Sequence, residues 1–167
     1  MNDVPVPFRH EGRVLADWID YNGHMNVAFY VMAFDRAVDE VYDALDLGRA
    51  YAVREGRSMF AVGLDIDYLR ELHRDEAYRI DTRILDLDDK RLLYHQEMVR
   101  TADGVLAARA TWLALHVDLE SRRAVPFPAA KAALLRDVVL CHAVLPRPAD
   151  LGRRLAVKRP FLGPPAS

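Results

Sequence analysis

The chain has 167 residues, of which 51 % are hydrophobic and 29 % charged, with a formal net charge of −2. That balance predicts one globular domain with a sizeable core and excludes a disordered chain. The weak negative charge speaks against nucleic acid or an anionic membrane as main partner, so an anionic ligand needs a local cluster of Arg and Lys.

The opening Met1-Asn2-Asp3-Val4-Pro5-Val6-Pro7 has neither the basic stretch nor the apolar core of a secretory signal. No apolar run approaches the roughly 20 residues that span a bilayer. A cytoplasmic protein with no membrane partner is the expectation. Residues 10–15 read as a short first strand, and Asn22-Gly23 marks a turn. From Asn26 onward, Phe29, Tyr30, Ala33, Phe34, Ala37, Val41 and Leu45 recur at helical spacings. They predict a helix over 26–46, apolar over much of its surface, which other structure must wrap. Leu47-Gly48 reads as its stop.

Residues 59–69 read as a strand, with the clearest alternation from Val62 to Tyr68 and with Asp65 and Asp67 facing solvent. Residues 77–87 alternate clearly, Asp88-Asp89-Lys90 is a charged turn, and 91–100 is the partner strand. Asp103-Gly104 is a hairpin signal before a long last strand over 105–118. His95 and His116, inside these strands, read as outward or interface residues. After a turn at 121–123 and a stop at Pro126-Phe127-Pro128, a helix is expected over 129–143, with Leu134, Leu135, Val138 and Val139 on one side. Cys141 falls in its apolar run and reads as a buried or half-buried small hydrophobe. As the one cysteine, it excludes an internal disulfide and a thiolate metal cluster. Residues 146–167 are proline-rich and basic, with Arg153, Arg154, Lys158 and Arg159, and read as a loosely held tail behind a single domain over 1–145. One long buried helix followed by an antiparallel meander defines an α+β class in which a curved sheet wraps the helix.

The stretch Asp20-Tyr21-Asn22-Gly23-His24-Met25-Asn26 puts a carboxylate, two amides and a histidine at the start of that helix. Helix starts offer unpaired backbone N–H groups and the positive end of the macrodipole. A carboxylate beside them can act on an electrophile whose oxygen those groups stabilise, as acyl transfer requires. A cap is the other reading of Asp20 or Asn22, because Asp and Asn are preferred N-caps.

The pattern Asp-x-Asn-x-His-x-Asn-x-x-x-Tyr, carried by Asp20, Asn22, His24, Asn26 and Tyr30, resembles the hotdog-fold acyl thioesterases of the 4-hydroxybenzoyl-CoA type. It is also similar to the plant acyl-carrier-protein thioesterases. Together with Tyr68-Leu69-Arg70-Glu71-Leu72 and Asp88, Lys90, Arg91 and Leu92, the stretch 18–26 resembles the thioesterases of carnitine breakdown, which hydrolyse betainyl-CoA. The resemblance implies a hotdog fold, an acyl-CoA substrate, a homodimer or dimer of dimers with sites at the interface, and no metal or other cofactor. It implies that Asp20, three residues before Gly23, is nucleophile or general base. It implies that amides at Gly23, His24 and Met25 polarise the thioester, and that Lys90 and Arg91 contact CoA. Many relatives carry a small apolar residue in place of His24, which leaves open how Asp20 and His24 divide the work.

Several residues carry competing readings. His24 can bond the carbonyl, protonate the leaving thiolate, orient Asp20, or serve structure alone. Asn26 can donate to the oxyanion or to Asp20, or simply fix the turn. Tyr30, one turn on, reads as core with a partnered hydroxyl. Ser58 lacks a nucleophile elbow and reads as a strand cap or substrate contact. Trp18 and Tyr21, flanking Asp20 in a turn rather than the core, are the candidate aromatic wall for a trimethylammonium group. The histidines show no metal-ligand spacing. Two functions follow: an acyl-CoA thioesterase, with betainyl-CoA the preferred substrate, or a non-catalytic acyl-CoA-binding module of the same fold.

Overall fold

A computed structural model describes residues 6–148 and 151. Its elements are β1 (Phe8–Arg13), a 3-10 turn (Ala16–Trp18), α1 (Val27–Ala44), α2 (Arg49–Glu55), β2 (Arg57–Tyr68), β3 (Ala77–Leu87), β4 (Arg91–Arg100), β5 (Leu106–Asp118) and α3 (Ala129–His142). One five-stranded antiparallel sheet, in the order β1-β3-β4-β5-β2, packs against α1. This is the hotdog arrangement expected from the sequence.

The buried stripe of α1 is Tyr30, Ala33, Phe34, Ala37, Val38, Val41 and Tyr42. Small residues at 33 and 37 let the sheet approach the helix closely. Gln96 of β4 donates its Nε2 to the Phe34 carbonyl at 2.9 Å, and Tyr42 meets Tyr94 edge to face at 6.3 Å. Asn26 caps the N-terminus by accepting the Ala28 amide at 3.0 Å. At the C-terminus Asp46 takes a positive φ of 51°, Leu47 N–H returns to the Tyr42 carbonyl at 2.7 Å and Asp46 N–H to Asp43 at 3.1 Å. That paired return is a Schellman motif with Asp where glycine is usual. Gly48 is therefore not the stop. It caps α2 and lies so close to Asp43 that an added Cβ would sit 2.0 Å from that carboxylate.

Helix α2 lacks any expectation from hydrophobic period because it is seven residues long, framed by Gly48 and by Gly56 at φ 64°. Strand β2 begins at Arg57, earlier than its alternation suggests, because a register shift between Ala61 and Gly63 breaks the period. In α3, Leu135, Val138 and Val139 are buried as expected, but Leu140 is exposed and Cys141 is exposed, not buried. Two core positions at 138 and 139 rotate 140 and 141 outward before His142 turns back in. Trp18 is a core residue, 4 % exposed and stacked on Phe29 at 5.4 Å, rather than part of a solvent turn. His95 and His116 are likewise buried rather than outward. His95 is bonded to Thr111 at 2.9 Å, and His116 to Tyr51 Oη at 3.0 Å and to the Val125 carbonyl at 3.0 Å. Asp67 is exposed and paired with Arg109 at 2.8 Å.

The two edges of the sheet differ. β1 covers β3 only from Ala77 to Thr82. Beyond it, His142 of α3 accepts the Ile84 amide at 2.9 Å and so closes that edge. β2 runs twelve residues, pairs with β5 alone among the described strands, and leaves Val62, Leu64 and Tyr68 exposed. Among the described residues no helix is long and apolar enough to cross a membrane. The tail cations Arg153, Arg154, Lys158 and Arg159 lie outside the described residues.

Candidate active site

The Asp20 turn is built by backbone bonds on three sides. Gly23, at φ 83°, donates its amide to the Asp20 carbonyl at 3.0 Å, and Asp20 N–H returns to His24 O at 3.1 Å. Few residues other than glycine adopt that φ without cost, which is the reason for glycine here. Asn26 N–H reaches back to the Trp18 carbonyl at 2.9 Å, and Met25 N–H crosses to the Leu72 carbonyl at 2.7 Å. His73 Nδ1 donates to the Gly23 carbonyl at 3.2 Å. The turn is thus tied to the connection between β2 and β3.

The half-buried Asp20 carboxylate is held by two donors. Asn22 N–H meets Oδ1 at 2.8 Å, and Asn26 Nδ2 meets Oδ2 at 3.3 Å. Asp20 does not cap α1, because Asn26 does. The amides of Gly23 and Met25, expected as oxyanion donors, are already engaged in the turn. Among the described residues, the amides of His24 and Val27 have no partner. Together with the amide of Tyr21, these are the donors that the turn and the helix start leave open.

His24 lies between two oxygens. Its Nδ1 donates to the Met25 carbonyl at 3.3 Å, and its Nε2 stands 3.7 Å from Glu71 Oε1. Tyr30 is core with a partnered phenol, which accepts from Leu72 N–H at 3.0 Å and donates to the Arg70 carbonyl at 3.3 Å. Burial, with Glu71 and Glu76 nearby, raises that phenol above its ordinary range even against the Leu72 bond. Glu71, Leu72 and His73 are contributors that sequence reasoning did not assign. Only the segment 68–72 hinted at the first two.

The remaining candidates separate. Tyr21 is 96 % exposed and forms no wall, and Trp18 carries the Arg36 guanidinium 5.5 Å over its ring. Asn22 is exposed beside Asp20. Ser58, Lys90 and Arg91 sit at the far end of the sheet: Ser58 pairs with Val117 and Arg91 with Leu115. The Asp20 turn lies at the Tyr68 end, where Tyr68 Oη donates to the Val27 carbonyl at 3.4 Å. A strand of this length separates its ends by roughly 35 Å. Arg91 is committed to the buried Asp88, at 2.9 Å, whose Oδ1 also accepts the Lys90 and Arg91 amides. Arg91 is thus a paired cation held within the chain. Among the described residues no cluster of His, Cys, Asp and Glu could hold a metal ion.

A helix start with open amides and a carboxylate fixed beside it, on a hotdog frame, is an arrangement that acyl transfer can use. Residues 14–137 match the family model of the thioesterase-like superfamily, and the chain belongs to that superfamily. A betainyl-CoA thioesterase of Pseudomonas aeruginosa is 31 % identical over 144 residues, covering 86 % of this chain and 91 % of that protein. An L-carnitine dehydrogenase/betainyl-CoA thioesterase of Rhizobium meliloti is 33 % identical over 158 residues; these are 94 % of this chain and 32 % of that longer protein. Among solved structures, a putative thioesterase from Pseudomonas putida shares 29 % identity at a TM-score of 0.76, covering 91 % of this chain and 97 % of that one. The protein SAV2348 of Staphylococcus aureus, solved in complex with CoA, superposes at 0.82 with 24 % identity, covering 90 % and 94 %. This last likeness is one of fold.

Proposed function

We propose that the protein is an acyl-CoA thioesterase whose substrate is betainyl-CoA, released as betaine and CoA. The observation that carries this is the Asp20 carboxylate, pinned by Asn22 and Asn26 at the open start of α1. The sequence likeness to two proteins named betainyl-CoA thioesterase supports the substrate.

The thioester oxygen lies against the Val27 and His24 amides, which stabilise the charge that develops there; one such donor is worth roughly 3–4 kcal/mol of barrier. Asp20 takes a proton from water as the water oxygen bonds to the acyl carbon. The C–S bond then breaks, and the proton passes to the CoA sulfur. Proton acceptance suits a carboxylate fixed by two hydrogen bonds, since it needs only hydrogen-bond distance. Direct attack needs covalent distance and the loss of those bonds.

The working unit in this proposal is a cytoplasmic homodimer. A long edge strand with exposed Val62 and Leu64 is a template for pairing with a second chain. Antiparallel pairing of two β2 edges would bring the Ser58 and Lys90 end of one copy beside the Asp20 turn of the other. Lys90 would then meet the CoA phosphates, and Ser58 the substrate.

Thiol release from betainyl-, acetyl-, hexanoyl- and benzoyl-CoA tests the reading. Betainyl-CoA is expected to be turned over best, and Asp20→Asn to lose roughly 10²–10⁴-fold in kcat. No turnover of any thioester would leave a CoA-binding module; an even profile would remove only the betainyl assignment.

A further inference from the structure

The two rings expected to face a cationic acyl group form no wall within this chain: Trp18 is buried under Arg36, and Tyr21 stands clear in solvent. A third ring has the required placement. Tyr68 ends β2 and is 44 % exposed. Its hydroxyl donates to the Val27 carbonyl, in the first turn of α1, so the ring stands at the helix start where Val27 N–H is open. It packs edge to face on Tyr30 at 5.3 Å and 82°. Tyr30 is fixed in turn by Leu72 and Arg70. The Tyr68 ring is therefore held in one orientation before any ligand arrives.

The charge around it has one prevailing sign. Glu71, its side chain 64 % exposed, stands 3.7 Å from His24 Nε2, in the turn that carries the Asp20 carboxylate. The nearest cation in sequence, Arg70, turns its guanidinium back to the Leu69 carbonyl at 2.6 Å. The Tyr30 phenol links Tyr68 and Glu71: its ring packs on Tyr68, and its hydroxyl bonds the Arg70 carbonyl and the Leu72 amide on either side of Glu71 in the chain. In a 2-ammonioacyl thioester the nitrogen is two bonds from the carbonyl carbon. A carbonyl bound at the α1 amides therefore puts that nitrogen within a few ångströms of the helix start.

We infer that the Tyr68 ring and the Glu71 carboxylate form the subsite that selects a quaternary ammonium acyl group over a neutral one of the same shape. The inference rests on the thioesterase reading above and goes beyond it by assigning the selecting residues. A ring face attracts an alkylammonium through its quadrupole, and the carboxylate adds a charge that a neutral acyl group does not feel.

The test compares betainyl-CoA with 3,3-dimethylbutyryl-CoA, in which carbon replaces nitrogen and the shape is kept. The quantity read is the ratio of their kcat/KM values. Wild type favours betainyl-CoA; Tyr68→Leu lowers the ratio about tenfold, the order a desolvated cation–ring contact supplies. Tyr68→Phe, which keeps the ring, stays within about twofold of wild type. Glu71→Gln, at an exposed position that tolerates change, lowers the ratio several-fold and decides the matter should Tyr68→Leu not fold. A ratio unmoved by Tyr68→Leu and Glu71→Gln, or losses shared equally by both thioesters, overturns the assignment while leaving a thioesterase. Failure of wild type to hydrolyse either thioester, or any other acyl-CoA, removes the thioesterase reading itself.

Discussion

Asn26 uses both ends of one amide: its Oδ1 accepts the Ala28 amide and caps α1, while its Nδ2 donates to Asp20 Oδ2. The start of the helix and the aim of the carboxylate are therefore set by one side chain. Asn26→Asp keeps the capping oxygen but replaces the donor with a second negative charge facing Asp20. Its melting temperature should stay within a few degrees of wild type while kcat falls at least about tenfold. Asn26→Ala should lose activity and about 1 kcal/mol of stability together. Paired thermal melts and steady-state rates separate the two effects, and full activity in Asn26→Asp would deny Asn26 any part in orienting Asp20.

Water, rather than Asp20, is expected to form the new bond to the acyl carbon. A single turnover in ¹⁸O-labelled water, with enzyme in excess, should place the label in the released acid. Label recovered by mass spectrometry in a peptide containing Asp20 would instead mean an anhydride formed on that residue.

Acid should destabilise the fold through His116. Burial holds its imidazole below the ordinary histidine value, against the pull of the Val125 carbonyl. The unfolded chain binds a proton near pH 6.5 that the folded chain resists. The stability this group contributes is complete above that pH. It is lost as pH falls through 6.5 toward the lower folded value. Urea melts at pH 7.5, 6.5 and 5.5 should show the decline, and His116→Asn should flatten it. Tyr51→Phe, which strips the hydroxyl from His116 Nε2, should cost about 1–3 kcal/mol at pH 7.5.

Arg91 should prove structural. Its guanidinium neutralises Asp88, whose side chain has no exposure at all. Arg91→Ala leaves that carboxylate buried without its countercharge and should cost about 3–5 kcal/mol. The KM for acyl-CoA should barely move, whereas Lys90→Ala should raise it. A stable Arg91→Ala protein with a raised KM would return Arg91 to the CoA contacts.

Charge placed on the open edge should separate the copies. Val62→Asp puts a carboxylate on an exposed β2 position, where pairing would desolvate it. Light scattering should report a monomer, and activity should fall with the loss of the partner's Ser58 end. A monomeric wild type with full activity would reject the shared site.

Much of this arrangement was legible in the chain. The α1 stripe from Tyr30 to Tyr42 shows its period, and β3, β4 and β5 alternate or run apolar between polar turns. What escaped did so for local reasons. Helix α2 is too short to display a period, and the left-handed turn that ends α1 falls on Asp46, where no glycine advertises it. Asp20, Asn22, Gly23, His24 and Asn26 are adjacent in sequence and could be read together. Glu71, Leu72 and His73 join them only through contacts between the β2–β3 connection and the turn, which spacing along the chain does not encode. Trp18 misled because a residue next to a turn can still point into the core, and a neighbour on the page says nothing of direction.

The bonds from Met25 to Leu72 and from His73 to Gly23 have a practical corollary for redesign. They make the connection after β2 a mechanical support for the Asp20 turn. Lengthening, shortening or grafting that connection should displace the Asp20 turn with every motif residue intact. Chains with identical signatures but unequal connections there should be sorted by assay, not by signature.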